Sequence, residues 1–441
     1  MKNNLAYPAA LLLFGLLFGF AFTYFLQVPW KSWMTITLYC VSLCWVLMAA
    51  RSRLERLLPR TRLEWLTAGF ALLILLSFTL HHSRHVWLSG YLRYFPFLVV
   101  LPFLCGKLMR PVDVNRLSKI IIYAGLALLP LLLLDLLFSA RQLGQRWTFF
   151  GQDHSPLLVG GLLATALLAQ GVRRAGSHGS DKKSQLFEYG LMVLLATALV
   201  WVSARGWLLS SMVALLVMAV ITYKSRKLCV EYSRQFVLVL VTVILSLSFL
   251  PRPSSQFYAG LLTPPPQVAV AEGGGGEAGG VMEEATGVLG VTHHWEPILG
   301  DESCRPIIDG INSIAIRWTL YREAWEIFRL DPLAGVGAGN FGLYSCSGIM
   351  GFPHSTVLQA FSELGLLGGV LLLAIAFLMA REFLRDVSEP RAPEILNARQ
   401  LVIALFAAYF LADQIYGNYF MSSGTYLLIG MFANLHVNRQ S

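Results

Sequence analysis

Residues 119–138 read KIIIYAGLALLPLLLLDLLF, and the only charged side chains in this stretch are those of Lys119 and Asp135, near its two ends. A helix needs about 20 mainly apolar residues to cross the hydrocarbon core of a bilayer. Similar runs recur along the 441 residues, of which 56% are hydrophobic and 13% charged. Soluble proteins carry roughly 25% charged residues. The sequence therefore predicts an all-α integral membrane protein.

The apolar runs predict about twelve transmembrane helices on either side of one large loop. Nine helices fall within residues 1–250, the loop covers 251–354, and three helices fall within 355–441. The predicted spans are 7–27, 32–50, 65–80, 86–106, 119–138, 156–172, 186–204, 206–223, 235–250, 355–380, 400–418 and 422–437.

Lys and Arg residues are unevenly distributed between the two sides of this arrangement. If both termini are cytoplasmic, the inner loops and termini carry 23 of the 34 Lys and Arg residues. Membrane proteins concentrate these residues on the cytoplasmic side. We therefore expect cytoplasmic N- and C-termini, with loop 251–354 on the outer side. The same bias explains the net charge of +9, so the charge does not indicate a nucleic-acid partner.

The large loop has two parts of different character. Residues 263–280 are rich in Pro, Gly and Ala and offer little apolar surface to bury. Residues 313–330 place apolar side chains at helical spacing, which predicts an amphipathic helix. Asp331-Pro332 and the glycines at 335, 337 and 339 then predict the end of that helix and a series of turns.

Two pairs of residues in the loop raise the questions of a disulfide and a metal. Cys304 and Cys346 lie on the same side of the membrane, and the sequence is equally compatible with a disulfide and with two free thiols. His293-His294 is the only tandem within this loop that suggests a metal ligand. Side chains at adjacent positions usually point in different directions, so we do not expect this pair to bind a metal. We expect no other cofactor either.

Three residues predicted on the outer side carry the clearest chemical signal. Arg205 occupies a tight turn between two spans, Arg317 lies on the amphipathic helix, and His354 precedes the next span. Each has an ordinary explanation, since arginines extend to lipid headgroups and a histidine can cap a helix. Together they indicate more, because guanidinium groups bind phosphate oxygens and histidine exchanges protons near neutral pH.

Three stretches around these residues resemble the signature of the O-antigen ligase/O-antigen polymerase superfamily. They are SARG at 203–206, RWTLYREAWEIFRLDPLAGVGAGNF at 317–341 and HSTVLQAFSELGLLGG at 354–369. A fourth, RWTFFGQDHSPLLVGGLLA at 146–164, resembles another motif of the superfamily less closely.

The resemblance implies a glycosyltransferase on the periplasmic face of the bacterial inner membrane, surrounded by inner-membrane lipids. The donor would be a glycan on undecaprenyl pyrophosphate, the acceptor lipid A–core, and the reaction metal-independent and inverting. The implied catalytic residues are His354, Arg205 and Arg317, and the implied substrate-binding residues are Arg146, Arg322, Gly337 and Gly339.

His354 would act as the general base. It stands at the start of a predicted helix, where the positive end of the helix dipole disfavours the imidazolium ion. We therefore expect a lowered pKa for His354 and a neutral ring at periplasmic pH.

Two alternatives to an O-antigen ligase remain open at this point. A polymerase would join one lipid-linked repeat unit to another. A transporter would need interrupted spans and ionisable groups inside the membrane, for which Arg93, Asp135 and Asp413 are the candidates. The single long loop and the Arg/Arg/His set favour the ligase.

Overall fold

The computed structural model describes residues 40–44, 46–48, 58–80, 95–138, 148–149, 152–153, 156–176, 181–202, 204–249, 313–345, 351–386, 393–419 and 422–437. Within these ranges the chain is almost entirely helical. The helices are α1 (Arg62–Leu80), α2 (Leu101–Leu108, preceded by a π-helical turn, Pro96–Val100), α3 (Pro111–Phe138), α4 (Pro156–Gly176), α5 (Lys182–Trp201), α6 (Arg205–Ile221), α7 (Arg226–Phe249), α8 (Ser313–Leu330), α9 (Phe341–Tyr344), α10 (Thr356–Asp386), α11 (Pro393–Tyr416) and α12 (Ser423–Val437). Two short strands, β1 (Thr148–Phe149) and β2 (Gln152–Asp153), pair antiparallel.

Ten of these helices, α1–α7 and α10–α12, overlap ten of the predicted spans. Helix α2 and its π-helical turn overlap only the second half of the predicted span 86–106, because residues 86–94 lie outside the described ranges. By length and composition, six of the helices in the described ranges are able to cross a membrane: α1, α3, α5, α7, α10 and α11. The all-helical membrane architecture is confirmed at this level. The first predicted span, most of the second and residues 250–312 lie outside the described ranges, so the count of twelve and the large loop stay predictions.

Helix α11 holds a central position in the bundle. It packs against α3, α4, α6, α10 and α12. Next to it, α12 and α2 approach each other until their backbones touch. A Cβ atom added at Gly106 would lie 2.1 Å from the carbonyl oxygen of Leu427, and one at Gly430 would lie 2.1 Å from that of Phe103. Small residues permit such close packing of helices in membranes.

Helix α8 is the amphipathic helix that the spacing of residues 313–330 predicts. Leu320, Ala324 and Ile327 are buried on one face, where they form a small apolar cluster with Val336 and Phe341. This face packs against α10. Tertiary packing of an apolar face is what usually stabilises such a helix, so α8 is anchored to the bundle through α10.

Helix α10 is broken at Gly365, which adopts φ 65° and ψ −164°. The sequence predicts a continuous span here, and the break is a departure from that prediction. An interrupted helix inside a membrane needs other partners for the backbone groups that it frees. The carbonyl groups of Ser362 and Glu363 accept hydrogen bonds from the N–H groups of Val336 and Gly337, at 3.0 and 2.9 Å.

The segment that supplies these partners, residues 332–341, is called the glycine loop below. On the other side of the break, the N–H of Leu366 donates to the carbonyl of Pro332 at 2.7 Å. Gly335 has φ 72°, and a Cβ atom there would lie 2.4 Å from the carbonyl carbon of Glu363. The glycine loop thus completes α10, and at Gly335 only glycine permits the approach.

Candidate functional site

The C-terminal turn of α11 receives two side chains from α8. Carbonyl groups in the last turn of a helix lack helical partners. The hydroxyl of Tyr321 donates to the carbonyl of Gln414 at 2.8 Å, and Nε of Arg317 donates to that of Ile415 at 3.2 Å. The guanidinium of Arg317 also lies over the ring of Tyr416, 5.4 Å from its centre. Arg317 is therefore held at the end of α11 by a hydrogen bond and a cation–π contact.

His354 reaches the same helix end from the other side. Its backbone adopts φ 57°, a left-handed conformation that is uncommon for residues other than glycine. The imidazole is hydrogen-bonded to the backbone carbonyl of Tyr416 and packs edge-on against Phe352, with ring centres 4.7 Å apart. Its Nδ1 atom is buried and has no hydrogen-bond partner among the described residues. Nδ1 is thus the ring nitrogen that no described residue engages.

Burial lowers the pKa of His354 below its usual value of 6.5. The carbonyl of Tyr416 opposes this shift, and the positive charge of Arg317 adds to it. The predicted direction is therefore confirmed, but its main cause is desolvation of the ring. The start of α10 is capped by Ser355, whose hydroxyl accepts from the N–H of Leu358 at 3.3 Å.

Arg205 is brought to the same place by the turn between α5 and α6. It is the first residue of α6, and residues 202–204 alone separate the two helices. The N–H of Gly206 donates to the hydroxyl of Tyr416 at 2.7 Å. A Cβ atom at Gly206 would lie 2.3 Å from the ring of Tyr416, so glycine is needed for this contact. The charge of Arg205, like that of Arg317, acts on the Tyr416 hydroxyl.

Tyr416 is therefore the residue on which the three predicted catalytic side chains converge. The sequence analysis did not identify it, because it belongs to none of the recognised motifs. The only available signal is a group of polar residues, including Gln414, Tyr416 and Asn418, at the end of an otherwise apolar span.

The side chain of Gln414 fixes the start of α10 against α11. Its Oε1 atom accepts hydrogen bonds from the hydroxyl of Ser355 at 3.0 Å and from the N–H of Val357 at 3.1 Å. Its Nε2 atom donates to the hydroxyl of Thr356 at 2.6 Å. Since His354 directly precedes these residues, Gln414 sets the position from which the imidazole reaches Tyr416.

A buried carboxylate, that of Glu363, holds the glycine loop from inside α10. It accepts hydrogen bonds from the N–H groups of Gly339 at 2.8 Å and Phe341 at 3.2 Å. The hydroxyl of Tyr419, at 2.5 Å, and the side-chain amide of Gln359 also donate to it. Glu363 was not singled out among the ionisable residues of the predicted spans. It ties the glycine loop, α10 and the segment after α11 into one unit.

Four further residues predicted to bind substrate are placed differently. Gly337 and Gly339 are buried, with their N–H groups directed at Glu363. Arg322 is exposed on a different face of α8 from the half-buried Arg317, as its spacing predicts. Arg146 lies outside the described ranges. Contact of these four residues with substrate stays a prediction.

Of the ionisable residues considered for a transporter, only Asp413 can be examined. Its Oδ2 atom accepts a hydrogen bond from the hydroxyl of Thr425 at 2.6 Å. The side chains of Arg93 and Asp135, and both Cys304 and Cys346, lie outside the described part of the chain. No group of three or more His, Cys, Asp or Glu side chains that could hold a metal occurs among the described residues.

Comparison with known proteins gives a family match for the region that carries the site. The family model described as O-antigen ligase matches residues 190–373. This region includes Arg205, Arg317 and His354 but ends before α11. The match supports the O-antigen ligase/polymerase superfamily, which the motifs resemble. No curated protein matches the chain.

Proposed function

Starting from this superfamily, we propose that the protein is an O-antigen ligase. It transfers a glycan from undecaprenyl pyrophosphate to lipid A–core at the periplasmic face of the inner membrane, in a metal-independent and inverting reaction. The observation that carries the proposal is the convergence of two cations and one neutral imidazole on Tyr416. This combination matches a reaction in which pyrophosphate leaves and a hydroxyl group loses a proton.

The two arginines stabilise the leaving group. Negative charge grows on the pyrophosphate as the glycosidic bond breaks, and cations that are already in place stabilise this charge without reorganisation. Arg317 is held by the carbonyl of Ile415 and the ring of Tyr416, and Arg205 by the turn that Gly206 anchors. Planar guanidinium groups suit a leaving group with several phosphate oxygens.

His354 acts as the general base for the acceptor hydroxyl. The acceptor hydroxyl attacks the anomeric carbon from the face opposite the pyrophosphate, so one C–O bond forms as the other breaks and the configuration inverts. The hydroxyl proton passes to Nδ1 of His354, which has no partner among the described residues. The carbonyl of Tyr416 holds the ring and stabilises the imidazolium ion that forms.

The remaining predicted residues complete the substrate site in this proposal. Arg146 and Arg322 contact the donor at the edge of the arginine pair. Gly337 and Gly339 border the path of the glycan while their N–H groups stay on Glu363. The hydrogen bonds to Glu363 thus keep the glycine loop fixed against α10.

Lipopolysaccharide from a deletion strain tests the proposal. For a ligase we expect no O-antigen ladder on lipid A–core and an accumulation of lipid-linked polymer. Core carrying a single repeat unit would instead identify a polymerase. Complementation with alanine variants of Arg205, Arg317 and His354 provides the second test, because a transporter without chemistry would tolerate their loss.

A further inference from the structure

A cavity lies at the opposite end of the bundle from Tyr416, between the first turns of α3 and α11 and the last turn of α4. Its volume is about 360 Å³, within the range of roughly 300–1,000 Å³ that is usual for small-ligand pockets. Because Asn397 lies near the start of α11 and Tyr416 at its end, about 28 Å of helix separates the cavity from the candidate site.

Three cations line this cavity: Arg116 and Lys119 on α3, and Arg173 on α4. None of them forms an ion pair with a described side chain. Their neighbours in the sequence differ in this respect. Arg110 pairs with Asp113 at 3.0 Å, and Arg174 lies 3.6 Å from Glu188. Among the described side chains, positive charge is therefore neutralised beside the cavity but not on its walls.

The other walls combine polar and apolar groups. Asn115 and Asn397 add amide groups to the lining, while Val172 and Leu401 add apolar surface. A free phosphate ion would use only the charged and polar part. A phosphate that carries a glycerol unit and the first carbons of acyl chains would use both parts.

The depth of the cavity agrees with such a ligand. The candidate span of α3 begins at Pro111, so residues 115–119 lie about 6–12 Å along it at 1.5 Å per residue. This is the end of the bundle at which Lys and Arg residues concentrate, which the sequence predicts to be cytoplasmic. The cavity thus lies near the level of the lipid headgroups.

We propose that this cavity binds the headgroup of an anionic phospholipid from the cytoplasmic leaflet, with Arg116, Lys119 and Arg173 holding its phosphate. Basic pockets between transmembrane helices on this side are suited to such headgroups. The site is separate from the proposed transfer reaction, and its test does not depend on that reaction.

The test measures phosphatidylglycerol binding to the detergent-solubilised protein by native mass spectrometry, with phosphatidylcholine as the neutral reference. The double variant Arg116→Gln/Arg173→Gln should bind phosphatidylglycerol about 30-fold more weakly, as expected for the loss of two cations near an anionic lipid. Arg116→Lys/Arg173→Lys should retain most of the binding. The matched control is Lys182→Gln/Lys183→Gln, which removes two exposed charges from the same end of the bundle. Size-exclusion chromatography checks that each variant is folded.

Three results would overturn the proposal. Equal weakening in the cavity and control variants would show a general effect of positive charge. Equal affinity for phosphatidylcholine would remove the role of the anionic headgroup. Complete displacement of phosphatidylglycerol by millimolar inorganic phosphate would identify free phosphate, and not a lipid, as the ligand.

Discussion

The hydroxyl of Tyr416 accepts a hydrogen bond from the N–H of Gly206 at 2.7 Å, across 210 residues of sequence. This bond joins the end of α11 to the start of α6, where Arg205 stands. The ring of the same tyrosine lies under Arg317, and its carbonyl holds His354. The hydroxyl, the ring and the backbone carbonyl of Tyr416 therefore each help to position a different functional residue: Arg205, Arg317 and His354, respectively.

Replacing Tyr416 by Phe should weaken catalysis while leaving substrate binding largely intact. The ring remains for Arg317, but the bond to Gly206 is lost, and a hydrogen bond of this kind contributes about 0.5–1.5 kcal/mol. We expect a fall in kcat of about 2- to 12-fold with little change in KM, and a larger fall for Tyr416→Ala. Tyr409→Phe is the control, because its hydroxyl contacts Thr165 deeper in the bundle. Equal effects of Tyr416→Phe and Tyr409→Phe would assign Tyr416 to general packing.

Lysine should not fully replace either arginine. Lysine keeps the positive charge but loses the planar fork, so Arg205→Lys and Arg317→Lys should show reduced transfer, and the alanine variants less still. Expression and membrane insertion should be unchanged. Arg329→Ala controls for charge on α8, because Arg329 is exposed and pairs with Glu326 in the same helix. Full transfer in the alanine variants of both arginines would mean that they only extend to lipid headgroups.

His354→Ala should separate turnover from donor binding. Loss of a general base typically lowers the rate by about 10²–10⁴-fold, whereas binding of the lipid-linked donor should persist because both arginines remain. The measurement is transfer with purified protein at saturating donor, together with a separate binding assay. If donor binding is lost and turnover at saturating donor is normal, His354 binds the donor, and another group is the general base.

The pH profile should report the lowered pKa of His354. Only the neutral ring accepts a proton, so transfer should be constant at neutral pH and fall on acidification with a midpoint below 6.5. The folded state also binds this proton more weakly than the unfolded chain, so His354 lowers the stability as the pH falls below 6.5. The residual activity of His354→Ala should lack this acid limb. A midpoint at or above 6.5 in the unaltered protein would contradict burial of the ring.

Glu363→Gln should destabilise the protein. The carboxylate accepts hydrogen bonds from two N–H groups, a hydroxyl and an amide, and a glutamine would turn its own NH₂ group toward these donors. Each buried group left unsatisfied costs about 1–3 kcal/mol. A lower midpoint of thermal unfolding in detergent is expected. Glu326→Gln makes the same change on the outer part of α8 and should leave the midpoint near its original value. Equal midpoints would show that Glu363 does not hold the glycine loop.

The helices of this protein could be predicted from the sequence because they depend on local patterns. The amphipathic spacing of residues 313–330 gave the bounds of α8, and long apolar runs gave the positions of α3 and α11. The motifs around Arg205, Arg317 and His354 also identified the three side chains that lie at the end of α11. Composition and periodicity carry this information directly.

The connections between these elements could not be predicted in the same way. Tyr416 acts through partners far away in the sequence, as Glu363 does through Gly339, Phe341 and Tyr419, and no short motif contains these pairs. The break at Gly365 was not predicted, because the apolar run that follows it, residues 366–380, extends the span on composition alone. Its replacement hydrogen bonds come from the glycine loop, which only the folded arrangement places beside α10.

The position of α11 in the chain has a consequence for biogenesis. Arg205, Arg317 and His354 all precede the residues that hold them, so they are synthesised before residues 414–416 leave the ribosome. A nascent chain with α1–α10 already inserted still lacks the carbonyl groups and the tyrosine that position these side chains. Assembly of the site must therefore wait until α11 has been synthesised and inserted.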